Sequence, residues 1–242
     1  TSSSLFFISG IPLILILVFA SLFLYNAASD YAKADGLHMQ LESNEKLSVL
    51  MENLGRERGL TAAFLASGKN IGGGEILHNQ RNQTNEAIRA FESARNITSN
   101  PLFEFFDKKS TIALSAENEI ANELTKLIGI RADIDGEKVE FSEVFQNYFL
   151  NIDNEYLKAQ GAIAEKLITS DMTALGLSLL NTSEAIIATA GERDYVIEHI
   201  VANNVVNSSQ LRQWNDFSLR SALPTYQLLP ESNTKNDVLN IM

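Results

Sequence analysis

The sequence predicts an all-α chain in which an N-terminal transmembrane helix continues into paired antiparallel helical bundles. Three observations carry that expectation. Only four prolines interrupt 242 residues, so helix breakers are sparse. Leu5 to Tyr25 is an apolar run of 21 residues without a charge. Downstream, apolar residues recur at steps of three and four, the period of an amphipathic helix.

The apolar run LFFISGIPLILILVFASLFLY is long enough to cross a hydrocarbon core of roughly 30 Å at about 1.5 Å per residue. A signal peptide has a shorter apolar core and a small-residue cleavage site, which this run lacks. Pro12 and Gly10 are tolerated in membrane helices. Membrane lipid is therefore an expected partner through residues 5–25, and the domain boundary falls near residue 29. Loop charges do not orient the span, because no basic residue precedes Lys33.

From Asn26 to Ser67 there is no proline, so the anchor should run on as one long helix ending at Ser67-Gly68. Lys69 to Gly74 then reads as a loop. Its triple glycine lacks the Gly-Lys-Ser/Thr of a phosphate loop. A second helix is expected from about Glu75 to Arg95, and Pro101 suits the first turn of another. Leu102 to Arg131 alternates clusters such as Phe103, Phe105 and Phe106 with charged residues at helical spacing, and Asp135-Gly136 signals a turn. A helix from Phe141 to about Ile168 carries Phe145, Phe149, Ile152 and Tyr156. Thr169-Ser170-Asp171 should stop it and cap Met172 to about Asn204, with Ser208 or Ser209 capping the next helix. A last helix could begin within Glu231 to Met242.

The residues most in need of explanation are two arginines on apolar stripes. Leu47, Met51, Leu54, Arg58, Thr61 and Leu65 follow one helix face; Leu179, Ser183, Ile186, Ala190, Arg193, Ile197 and Ile200 follow another. Each arginine is preceded by a glutamate, Glu57 and Glu192. A guanidinium keeps its proton and is costly to bury alone, so a carboxylate, a set of carbonyls or a bound anion should meet it. An internal ion pair and an anion site both satisfy this. Arg81 and Arg89 follow the first pair and Arg212 and Arg220 the second, each spaced by eight. That spacing suggests an imperfect duplication, with halves of about 45–135 and 136–242, the four later arginines being exposed helix charges.

Composition narrows the function. With 19 basic against 30 acidic residues the net charge is −11, which disfavours a nucleic-acid surface. The absence of cysteine removes disulfides and thiolate metal sites. His38, His78 and His199 do not recur at metal-ligand spacing, and no nucleophile, base and acid stand in a catalytic pattern. Neither a cofactor nor catalysis is expected.

The phrase ENLGRERGLTAAFLASG resembles the start of the nitrate- and nitrite-sensing (NIT) domain, and the likeness continues through HNQRNQTNEAI, IRADIDGEKVEFSEVFQNYFLNI and EAIIATAGERDYVIEHI. The resemblance implies a helical sensory domain over residues 30–242, in a membrane-anchored receptor with that domain outside the cytoplasm. It implies a homodimer and a small oxyanion, nitrate or nitrite, held by arginines of the long helices. Carried over by position, the ligand-binding residues are Arg58 and Arg193, with Arg56 as an addition about 200° around the helix from Arg58, and Glu57 and Glu192 in support. The alternative is a structural subunit of a filament or surface assembly, with the apolar N-terminal helix in its core.

Overall fold

The computed structural model describes residues 2–68, 74–95, 111–136, 139–145, 149–169, 172–201 and 206–221. Among them all regular structure is helical. The helices are α1 (Ser2–Ala66), α2 (Glu75–Arg95), α3 (Thr111–Thr125), α4 (Leu127–Asp135), α5 (Phe141–Val144), α6 (Leu150–Thr169), α7 (Thr173–Val201) and α8 (Ser208–Ser221). The chain divides into two compact units, one containing Thr1–Gln40 and the other Leu41–Asn96 and Ser110–Met242.

In the first unit, α1 carries an apolar segment that meets the length and composition of a membrane span, with mean hydropathy 2.0. Every residue from Leu13 to Tyr25 is exposed to its surroundings, including Phe19, Phe23 and Leu24. A continuous apolar surface of this kind is incompatible with water and suits hydrocarbon. By length and composition the segment is a candidate membrane span.

The second unit begins within the same helix. Its core gathers Leu47, Leu50 and Leu54 of α1, Phe91 of α2, Ile120 and Leu124 of α3, Ile134 of α4, and Ile152 and Tyr156 of α6. The expected α1 stripe is therefore the inward one: Leu47, Leu54, Arg58 and Thr61 are buried, and Met51 and Leu65 pack against the core. α1 ends where the sequence places its stop. Gly68 adopts φ +58°, and its N–H donates to the Leu65 carbonyl at 3.3 Å.

One interruption was not legible: within the stretch of helical spacing from Leu102 to Arg131, the chain turns at Lys126 between α3 and α4. Of the helix expected from Phe141, α5 and α6 are seen, and residues 146–148 lie outside the described residues. Asn207, rather than Ser208 or Ser209, caps α8: its side-chain oxygen accepts from the N–H groups of Ser209 and Gln210, both at 3.0 Å. The expectations for Phe103 to Phe106, Ser170-Asp171 and the final helix from Glu231 fall outside the described residues.

α6 packs on α3 and α7, and α7 on α8. At the α6–α7 corner the Met172 N–H donates to the Leu167 carbonyl at 2.9 Å. There Gly176 is required by close approach, since a Cβ on it would lie 2.7 Å from the Ala164 carbonyl oxygen. Gly176→Ala should therefore destabilise the unit. Overpacking costs about 1–3 kcal/mol and helix propensity returns at most about 1, so a net loss on the order of 1 kcal/mol is expected in a urea titration followed by circular dichroism.

Candidate functional site

Consecutive residues of α1, Glu57 and Arg58, lie 100° apart on the helix and are buried on two sides of it. Each meets opposite charge from helices distant in sequence.

Arg58, whose side chain is 3% exposed, donates from Nε to Oδ2 of Asp194 on α7 and from Nη1 to Oδ2 of Asp153 on α6, the latter at 2.8 Å. Its guanidinium lies over the rings of Phe145 and Phe149, 5.1 and 5.6 Å from their centroids. Burial pulls the guanidinium down, but the carboxylates of Asp153 and Asp194 more than offset this and hold it above its ordinary value. The Asp153 carboxyl is pushed up by its burial; Arg58 opposes that rise and the nearby Asp194 adds to it.

Asp194 is shared. Its Oδ1 accepts from Arg193 Nε at 2.9 Å, so the two Glu-Arg arginines stand on opposite oxygens of one fully buried carboxylate. Arg193 Nη2 also reaches the Gly55 carbonyl of α1 at 2.6 Å. Gly59 makes room for this approach: a Cβ there would lie 3.0 Å from Asp194 Oδ1 and 3.4 Å from Arg193 Nε. The arginine pair thus depends on the glycine that follows Arg58.

The expected inward position of Arg193 needs correction. Its side chain is 45% exposed, and Ile186 and Ile200 on the same line of α7 are exposed too. The buried face is made of the small residues Gly176, Ser183, Ala185, Ala188 and Gly191, together with Asp194 and Tyr195. Of the expected line Ser183 is buried and Ile197 packs against the core, so the buried face is turned only part of the way from it, toward small side chains that let α7 pack closely. Asp194, the next residue, points in where Arg193 was expected.

Glu57 belongs to a second cluster. Arg131 of α4 binds it through Nε and Nη2, both at 2.7 Å, in a planar fork, and gives Nη1 to Asn85 of α2 at 2.7 Å. Arg81 of α2 places Nε 3.8 Å from Glu57 and Nη1 within 2.9 Å of both oxygens of Asp135. Arg81 is consequently no exposed helix charge, whereas Arg89 and Arg212 are exposed. Arg81 and Arg212, matched by the suspected duplication, thus differ in their surroundings, and the Arg220 side chain lies outside the described residues. Glu192 accepts from the Trp214 indole of α8 at 2.9 Å. Arg56 pairs with Glu52 at 2.6 Å on the exposed side of α1 and does not join Arg58.

Sequence reasoning missed Asp153, Asp194, Arg131 and the pairing of Arg81. Asp153 had a signal, since it falls on the Phe149, Ile152, Tyr156 stripe where a carboxylate is as anomalous as an arginine. Among the described residues, no group of three or more His, Asp or Glu side chains could hold a metal ion.

The described residues thus form a helical domain in which one buried and one half-exposed arginine, from two long helices, share one planar acceptor. The chain matches the model of the nitrate and nitrite sensing (NIT) family over residues 49–233 and belongs to that family. Neither a curated protein nor a solved structure matches it.

The two clusters predict opposite mutational outcomes on α1. Arg131→Ala leaves Glu57 buried with its principal partner gone and should cost about 3–5 kcal/mol in urea unfolding. Arg56→Ala breaks only an exposed pair and should stay within about 0.5 kcal/mol of wild type.

Proposed function

We propose that the chain is the ligand-binding part of a membrane-anchored receptor that senses nitrate or nitrite. Arg58 and Arg193 are the residues that hold the anion. The observation that carries this reading is their convergence on Asp194. A carboxylate and a nitrate are both planar acceptors that match the guanidinium fork, so a site already arranged around one planar acceptor suits another. Family membership supplies the ligand class. The half-exposed Arg193 offers the approach from solvent, and Arg58 offers the dry end of the site. Glu57 and Glu192 act in support by holding α1 against α4 and α7 against α8, and Arg56 has no part in binding. The role is binding rather than catalysis.

Signalling follows from the partners of α1. An oxyanion that takes donors from Arg58 or Arg193 changes which carboxylates of α6 and α7 hold α1, and favours a second arrangement of these helices. Shifting a two-state equilibrium from one extreme to the other requires a differential of about 5.5 kcal/mol. Two or three charge-assisted hydrogen bonds at about 1.5–3 kcal/mol each suffice. The receptor reading also places the helical domain outside the cytoplasm and pairs two copies. Leu175, Ile186 and Ile200, exposed on one line of α7, support such pairing.

Sodium nitrate and sodium nitrite should raise the melting temperature of the detergent-solubilised chain in a concentration-dependent way. Arg193→Gln, a change at a half-exposed position, should remove most of that rise while leaving the unliganded protein folded. Arg58→Lys should weaken binding at least tenfold, because an ammonium cannot present the planar fork. Equal nitrate affinity in wild type and Arg193→Gln refutes the assignment.

A further inference from the structure

The four charged groups at the site balance: Arg58 and Arg193 against Asp153 and Asp194. A monovalent oxyanion added to this neutral set leaves one uncompensated negative charge where side chains are 3% exposed at Arg58 and 0% at Asp194. Burying a net charge is strongly disfavoured, and a titratable group in such a place changes its protonation state instead.

Building on the oxyanion reading above, we infer that anion binding at the Arg58–Arg193 pair takes up one proton, and that Asp153 is the residue that receives it. The step balances: one anion and one proton enter together. The Arg58 Nη1 hydrogen bond to Asp153 is released to the ligand, and Asp153 Oδ2 gains an O–H that can donate to it. Asp153 thereby becomes a specificity-determining residue, since its protonated form favours a ligand that accepts hydrogen bonds from both sides.

Geometry selects Asp153 over Asp194. Two guanidiniums hold Asp194, one on each oxygen, and it has no exposed surface. Asp153 receives Arg58 Nη1 and keeps 10% of its side chain exposed, a route for proton and ligand. Its burial already pushes its carboxyl up, toward the protonated form. Among the described residues, the charged groups around it are few. α1 presents Arg58; α7 presents Asp194, with Arg193 beyond it, and His199 further along keeps Nδ1 on the Tyr195 carbonyl at 2.8 Å. α3 presents Glu119 and Glu123 to a different face of α6, in a cleft with Asn154, Glu155 and Lys158.

The sign follows from linkage. Ligand binding raises the Asp153 value further, so between the unliganded and the liganded value binding takes up a proton and apparent affinity falls about tenfold per pH unit. The test is calorimetric titration of the full chain in detergent with sodium nitrate at several pH values, in two buffers of different ionisation heat. Wild type should take up one proton per nitrate, seen as a buffer-dependent heat, with the tenfold slope. Asp153→Asn should bind with pH-independent affinity and no buffer-dependent heat. Nitrate binding by wild type without proton uptake overturns the coupling and leaves the oxyanion reading intact. Absence of nitrate binding at every pH overturns both. Uptake that survives in Asp153→Asn and disappears in Asp194→Asn or His199→Asn overturns the assignment to Asp153. Should Asp153→Asn fail to fold, the wild-type proton count still decides the coupling.

Discussion

The domain is organised by two adjacent buried charges of opposite sign on one helix. Glu57 is gripped by Arg131 and approached by Arg81, and Arg58 by Asp153 and Asp194. Apolar packing alone specifies helix register weakly, because a leucine-rich face tolerates rotation and repacking. Charges are less tolerant. A slip of α1 by one residue turns it 100° and would bring Glu57 to Asp153 and Asp194, and Arg56 to Arg131 and Arg81. Both clusters would become repulsive at once, in a setting where an unpaired ion costs far more than a lost contact. The order Glu-Arg thus encodes the rotational setting of α1, and Gly59 after it admits α7 to the distance at which Asp194 can share its carboxylate.

How far the sequence reveals this depends on the range of the interaction. The long first helix, its end at Ser67-Gly68, α2 and the inward setting of Arg58 rest on local periodicity and glycine chemistry, and all were readable. What was not readable is who meets whom. Arg58 and Asp194 are separated by 136 positions and Glu57 and Arg131 by 74, and no spacing rule connects such partners. Arg193 shows a second limit. Periodicity finds a helix face but does not say which face is buried when bulky and small residues compete for it. On α7 small residues make most of the buried face, since glycine, serine and alanine permit the closest helix contact, while Ile187 and Ile197 pack against the core and Ile186 and Ile200 are exposed. The aromatic cover is similar in kind: Phe145 and Phe149 lie over the Arg58 guanidinium, a tertiary contact that no local spacing announces.

Polar burial is not confined to this level of α1. Ser43 donates to Glu117 of α3 at 3.2 Å, Gln160 of α6 donates to Asn44, and Gln80 of α2 reaches the Asn53 carbonyl at 3.2 Å. Leucines 47, 50 and 54 alternate with these polar levels. Hydrogen-bonded layers contribute less net stability than apolar ones, yet they admit only those arrangements in which every partner is met. Along α1 the core therefore alternates between packing that stabilises and polar contacts that discriminate among settings of the helix.

That alternation bears on why a sensory domain would bury charge at all. A buried ion pair is roughly neutral against an apolar replacement, whereas removing one partner alone is expensive. On the proposed reading, exchange of one anionic partner for another at Arg58 has a small net free energy, while any intermediate with no partner is high. Such a cluster has discrete alternatives instead of a continuum of distortions, and small differences in ligand binding can select between them. A leucine at position 58 could stabilise the bundle as well as the arginine does, but on the proposed reading it would leave α1 with one setting and nothing for an anion to exchange.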